Sequence, residues 1–128
     1  MKKITKEWLF QAIADLESAD LLFKHKRHLH AIYFCQQCLE KTIKGIIAEQ
    51  TAVPPPYAHQ LLLLYEKIPH KPELSAPYVT LLVELSKFYI PTRYPGYKKT
   101  LSKTLTPVRA ASYVKQTKDM HQWLNSLI

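Results

Sequence analysis

Glycine is nearly absent: the chain has two in 128 residues. A glycine-rich phosphate loop needs several positions without a Cβ, so both the P-loop and the dinucleotide fingerprint are excluded. Cysteine is equally scarce. Cys35 and Cys38 are too few for a disulfide framework. They form a lone C-x-x-C, and a closed zinc site needs a second pair of ligands that the sequence does not supply. The two thiols fall on the apolar stripe of a predicted helix, where free cysteine packs as a small hydrophobe. Long hydrophobic runs are missing too. The longest is the five residues of LLLLY, 61–65, against ~20 needed to span a bilayer. The basic start MKKITKEWLF has no apolar run behind it, and Lys6 and Glu7 interrupt it, so a soluble, cytoplasmic chain is expected without a membrane segment.

Acidic residues are absent from an entire quarter of the chain. None lies between Glu84 and Asp119, a stretch that carries Lys87, Arg93, Lys98, Lys99, Lys103, Arg109, Lys115 and Lys118. Its charge of +8 equals the net charge of the whole protein, so the remainder is neutral. A basic half set apart in this way points to an anionic partner, such as a nucleotide, a nucleic acid or an acidic protein surface. The bland alternative is a solvated face that aids solubility.

What the sequence does contain is helical periodicity punctuated by proline. The length fits one domain, residues 1–128, able to bury about two-thirds of its unfolded surface. Thr5 reads as an N-cap with Glu7 in the first turn. Trp8, Ala12, Leu16, Ala19 and Phe23 then recur every three or four residues. A second helix spans about 30–50, its stripe of Ala31, Phe34, Cys35, Cys38, Thr42 and Ile46 widened by Tyr33, Leu39, Ile43 and Ile47. So broad a face belongs to a central helix or to one that meets a second subunit. VPPPY, 53–57, ends it. A short apolar helix follows over 59–68. Ser75 caps the next, with Pro77 in its first turn and Val79, Leu82, Leu85 and Phe88 on its face. Pro91 and Pro95 break that helix and leave a loop of about ten residues. Thr106 and Pro107 open the last helix, whose stripe is Ala111, Val114, Thr117, His121, Leu124 and Ile128. No strand pattern competes. The reading is all-α: an up-and-down bundle of four long helices plus one short one.

Few constellations carry chemistry. His25, His28 and His30 cluster among Lys24, Lys26 and Arg27, but no carboxylate or thiol accompanies them and the cations oppose a metal ion, so no metal or cofactor is expected. His121 falls on an apolar stripe. His59 stands at the entrance to the short helix, placed to cap or to pack. No Ser-His-Asp or paired-carboxylate spacing is recognisable. FYIPTRYPGYKK, 88–99, stands out. An arginine forks onto phosphate with two hydrogen bonds. Tyr89, Tyr94 and Tyr97 offer faces for stacking, which contributes ~1–3 kcal/mol per base. Lys98, Lys99 and Lys103 add screened attraction to a backbone. The alternative is that Tyr89 and Tyr94 pack a helix joint and Arg93 bonds helix C-terminal carbonyls.

The order AIYFCQQCLEKTIKGIIAEQ (31–50), HQLLLLYEKI, YIPTRYPGY and YVKQTKDMHQWL resembles the HEPN domain family over about residues 5–127. Its specific parts are QQCLEKTIK and YIPTRYP. The resemblance implies a four- or five-helix bundle, a homodimer formed through helix packing, and a separate minimal nucleotidyltransferase as partner in a toxin–antitoxin or substrate-binding pair. Many members are metal-independent ribonucleases carrying Arg, four to six residues, then His. Others lack that motif and bind nucleotides or nucleic acid. Here Arg93 is followed by no histidine at that spacing, nor is Arg109, and the histidines after Arg27 are too close. A tyrosine is a poor substitute base at neutral pH, its ordinary pKa being about 10.

Together these features indicate a HEPN-like protein that binds a nucleotide or RNA rather than an enzyme. Arg93 is the phosphate anchor, Tyr94 and Tyr97 the ring contacts, and Lys98 and Lys99 the electrostatic rim. Glu40 and Lys44, spaced i, i+4, pair on the second helix and with His59 support the cleft. Two alternatives stay open. One is a toxin endoribonuclease whose base comes from His59 or His121. The other is a protein-docking module with an acidic partner.

Overall fold

Seven successive residues of one helix, 42–48, are buried without a gap. A helix covered around its whole circumference must lie at the centre of its domain. The computed structural model describes residues 1–89 and 95–128, apart from the side chain of Tyr97. Among these it has six helices and no strand: α1 (Lys3–Lys24), α2 (His28–Gln50), α3 (Leu61–Tyr65), α4 (Ala76–Ser86), α5 (Pro95–Thr104) and α6 (Pro107–Asn125). The central helix is α2, which packs against each of the other five. Its breadth is therefore accounted for within one chain. Leu39, Ile43, Leu64, Tyr65, Leu82, Leu85, Phe88 and Leu124 meet around it in one core. No helix of the described residues is long and apolar enough to cross a membrane.

The helices α1 and α2 form the longest contact, and Gly45 sets its closeness. A Cβ there would stand 3.2 Å from Leu9 Cδ2 and 3.3 Å from Trp8 Cβ. Glycine inside a helix costs ~1 kcal/mol relative to alanine, which the tight α1–α2 packing offsets. Across the same contact Lys41 pairs with Asp15 at 2.7 Å. The ends of the hairpin cap one another. Glu49 Oε1 of α2 accepts from the Lys2 backbone N–H and from Thr5 Oγ1, each at 2.9 Å. These bonds hold its carboxyl below the ordinary glutamate value. In return Lys2 Nζ donates to the Ala48 and Thr51 carbonyls at 3.0 and 2.8 Å. An anion thus sits at the positive end of α1 and a cation at the negative end of α2.

This arrangement corrects the reading of the N-terminus. Thr5 is buried inside α1 and does not cap it; the N-cap is Lys2, and Glu7 lies beyond the first turn. A capping carboxylate from 44 residues away leaves no local signature. Ser75 and Thr106 do cap α4 and α6, accepting from the Tyr78 and Arg109 amides, with a proline in each first turn. Cys35 and Cys38 are free and buried, and burial raises both thiols, that of Cys35 to about 12. Along α6 the buried stripe includes Ala110 and Met120, while Ala111 and Ile128 are exposed.

The larger correction is α5. The stretch expected as a ten-residue loop is helical from Pro95 to Thr104. Pro95 is its first residue, where a fixed φ favours the helix and the missing N–H costs no bond. Among its described side chains only Leu101 is partly covered, and Leu105 just beyond it is buried. No apolar period marks such a helix, and Pro91 ahead of it and Pro95 at its start read as breakers.

The turn from α1 into α2 is a Schellman motif. The Arg27 N–H reaches the Leu22 carbonyl at 2.8 Å and the Lys26 N–H reaches Phe23 at 3.0 Å. This places Lys26 at φ 62°, the left-handed region, where glycine is normally favoured. Lys26→Gly is expected to raise stability by ~1 kcal/mol, read from the urea midpoint at unchanged slope. A loss of stability would refute the account of this joint.

Candidate functional site

Four side chains of α2, Tyr33, Gln36, Glu40 and Lys44, follow at helical spacing down one side of the central helix. Burial of polar groups there demands partners. Glu40 has three. Its Oε2 accepts from Lys44 Nζ at 3.2 Å, and its Oε1 accepts from Gln36 Nε2 at 3.1 Å and faces His59 Nδ1 at 3.0 Å. The side chains of Glu40 and Lys44 are 5% and 8% exposed. Gln36 Nε2 also donates to the His59 carbonyl at 3.0 Å, and Gln37 Nε2 donates to Gln36 Oε1 at 2.7 Å. The segment between α2 and α3 is thereby tied to the central helix by its histidine, through both backbone and ring.

Aromatic rings close the cluster. The Lys44 ammonium lies 5.6 Å from the Trp8 ring centre and 5.9 Å from that of Tyr57, within cation–π range. His59 stacks on Tyr89 with centroids 3.8 Å apart and planes 16° from parallel, and Tyr57 meets it edge-on at 5.1 Å. Tyr33 extends the stack, 6.3 Å from Tyr89. Tyr89 follows the end of α4 and is the first residue of YIPTRYP. The cluster therefore carries a buried ion pair at one end and a ladder of rings at the other.

The chemistry follows from these contacts. A carboxylate only accepts, so a neutral His59 that bonds it must carry its proton on Nδ1. The Nε2 lone pair is then free to accept a proton or a hydrogen bond. His59 is not a helix cap: the first α3 amide, Leu61, bonds Ser86 Oγ at 3.0 Å.

A second feature is the charge left on α5. Lys87 pairs with Glu84 at 3.2 Å, Lys115 with Asp119 at 3.6 Å and Lys118 with Asp20 at 2.7 Å. Arg109 bonds the Thr104 carbonyl and the Tyr113 hydroxyl. Lys98, Lys99 and Lys103 are exposed and join no ion pair among the described residues. The excess charge seen in sequence is thus concentrated on one helix.

The structure brings Glu40, Lys44 and His59 together and puts Lys98 and Lys99 on the exposed side of α5. Arg93 and Tyr94 lie outside the described residues, as does the side chain of Tyr97. His121 is half-buried on α6 against Asn125, its Nε2 at 3.1 Å from the amide nitrogen, and burial lowers its pKa. Among the described residues no group of three His, Cys, Asp or Glu side chains is arranged to hold a metal ion. Gln36, Tyr57 and Trp8 belong to the cluster although spacing did not select them. A signal existed for one: Gln36, Glu40 and Lys44 recur every four residues on an apolar helix. Trp8 and Tyr57 approach only through the fold.

The HEPN domain profile matches residues 5–127. Among solved structures, the chain is similar to the crystal structure of TT1696 from Thermus thermophilus, with a TM-score of 0.85 at 22% identity, covering 99% of this chain and 100% of that one. No curated protein matches.

Removing one partner of a buried pair strands the other charge and costs ~3–5 kcal/mol. Glu40→Gln is therefore expected to lower unfolding free energy by about 3 kcal/mol. Adding Lys44→Met should restore most of that loss. Urea denaturation of wild type, Glu40→Gln, Lys44→Met and the double variant measures this double-mutant cycle, and a Glu40→Gln value within ~0.5 kcal/mol of wild type would contradict the geometry.

Proposed function

We propose that this chain, which belongs to the HEPN domain family, binds a nucleotide or single-stranded RNA and works with a separate minimal nucleotidyltransferase. The observation that carries the reading is the unpaired charge of α5. Three lysines without acidic partners follow directly on Arg93 and Tyr94, and Tyr89 on the other side of that segment stacks on His59. Arg93 is the phosphate anchor, Tyr94 and Tyr97 the rings that meet a base, and Lys98 and Lys99 the rim. The cluster of Glu40, Lys44 and His59 anchors the start of this surface to α2. No arginine carries a histidine four to six residues on, which favours binding over cleavage. The nucleotidyltransferase partner, and with it a toxin–antitoxin pairing, follows from the family. So does a homodimer; since α2 is enclosed, the face open to a second copy is the outer side of α1, where Phe10, Ile13 and Leu21 are exposed.

The contact of His59 with Glu40 favours a second reading, a metal-independent endoribonuclease. In it Nε2 of His59 takes the 2′-hydroxyl proton, the oxygen attacks the adjacent phosphorus, and the 5′-oxygen leaves with a proton from water. The products are a 2′,3′-cyclic phosphate and a 5′-hydroxyl end.

A labelled short single-stranded RNA titrated into wild type and Arg93→Ala, with ATP as competitor, separates these readings. Saturable binding is expected, weakened ~10–100-fold in the variant, the equivalent of one charge-assisted bidentate contact. Replacing Lys98, Lys99 and Lys103 by glutamine should flatten the salt dependence by about two units of slope. Intact RNA on a denaturing gel fits the binding protein. Shortened RNA, abolished by His59→Ala, moves the assignment to the nuclease. No binding at low salt refutes both and leaves an acidic protein as the partner. Sedimentation checks the dimer: Phe10→Glu should yield monomers, and a wild-type monomer at micromolar concentration removes the dimer from the proposal.

A further inference from the structure

The joint between α1 and α2 faces α5 across a cavity of about 280 Å³, lined by Lys26, Arg27, His28, His30, Lys98 and Ser102. Leu29 and Leu105 are the other described residues of the lining. Three permanent cations and two imidazoles converge here from segments some seventy residues apart. No acidic residue lines the cavity, and Lys26, Arg27 and Lys98 join no ion pair among the described residues. Like charges held together repel unless an anion lies between them.

The backbone adds to the same field. The cavity lies at the N-terminal end of α2, a helix of 23 residues. Its cap residue, Arg27, gives no side-chain bond, and its first turn holds no acidic residue. The first intrahelical bond is from the Ala31 N–H to the Arg27 carbonyl at 2.9 Å. The amides of His28, Leu29 and His30 therefore precede the ladder, at the end where a helix carries its partial positive charge. Cations beside that end are the reverse of the stabilising pattern. The His28 Nδ1 beside it is shut off from solvent and has no hydrogen-bond partner among the described residues.

We propose that this cavity is a phosphate-binding site, taking either free phosphate or the terminal phosphate monoester of an RNA. Its volume lies just below the ~300–1,000 Å³ of pockets that enclose whole drug-sized ligands. Among the described residues no tyrosine, tryptophan or phenylalanine lines it to meet a base. The donors present are those that recognise a compact anion: a guanidinium, two ammonium groups, a hydroxyl and helix-terminal amides. The site shares Lys98 with the surface proposed above, but Lys26, Arg27 and the amides of α2 lie outside segment 88–99, and the cavity binds phosphate whether or not that segment binds RNA.

The test follows backbone amide NMR signals of residues 26–30 and 98–105 as inorganic phosphate is added, with sodium chloride at matched ionic strength as control. Saturable shifts specific to phosphate are expected. Arg27→Gln should weaken them ~10-fold, one charge-assisted contact. Lys26→Gly should weaken them as well, and because glycine suits the left-handed backbone at that position, a folding defect cannot imitate the loss. Equal shifts with chloride, or phosphate shifts unchanged in both variants, overturn the proposal. A 5′-phosphorylated octaribonucleotide compared with its 5′-hydroxyl counterpart then identifies the source. A ~10-fold preference for the phosphorylated chain, lost in Arg27→Gln, assigns an RNA end; equal binding of the two, with inorganic phosphate still saturating, assigns free phosphate.

Discussion

Glu40 is buried at the centre of the domain, and much of the surrounding arrangement answers its charge. A carboxylate taken out of water must be met by counter-charge and hydrogen bonds. Lys44 supplies the charge, and Gln36 and His59 supply the bonds. Each partner then has its own requirement. The Lys44 ammonium, itself buried, draws on the faces of Trp8 and Tyr57, which ties α1 and the segment before α3 to the same point. His59, turned toward Glu40, presents its ring to Tyr89. One buried charge thus fixes side chains from α1, α2 and the α2–α3 connection, together with Tyr89 beyond the end of α4.

Charge is handled in two ways in this molecule. At the α1–α2 hairpin opposite charges complement helix ends, with Glu49 at the start of α1 and Lys2 at the close of α2. Asp15 with Lys41 and Asp20 with Lys118 link helices across their surfaces. Around α5 and the N-terminal end of α2 the reverse holds: cations gather without partners. The first pattern stabilises a fold. The second weakens it slightly and is the pattern expected of a surface that meets anions.

The sequence was legible where a signal was local. Ser75 and Thr106 cap as their positions imply, because a cap bonds an amide three residues away. The breadth of the apolar face on α2 was correctly the mark of a central helix. Cys35 and Cys38 pack as hydrophobes for the same reason. Where the partner was remote, local reading failed. Thr5 resembles a cap but hydrogen-bonds Glu49 on another helix. The helix α5 has too little apolar face to show a period, and Pro95 marks its start as readily as the end of something else. In the site, Glu40 and Lys44 were paired by their spacing, and His59 was grouped with them as cleft support and as a candidate base, without a contact to either. Nothing in the string reveals that it reaches back 19 residues to the carboxylate.

The amino-acid order alone determined the all-helical class, the position of most joints and the excess of positive charge in one half, because periodicity, proline placement and charge are properties of neighbouring residues. The tertiary structure decided which charges remain unpaired. Lys87, Lys115 and Lys118 find acids, whereas Lys98, Lys99 and Lys103 do not, and this depends on which helix faces which. It likewise decided that Lys26 and Arg27 share a cavity with Lys98. Electrostatic energy varies with distance in space, and a distance between residues seventy positions apart exists only once the chain has folded.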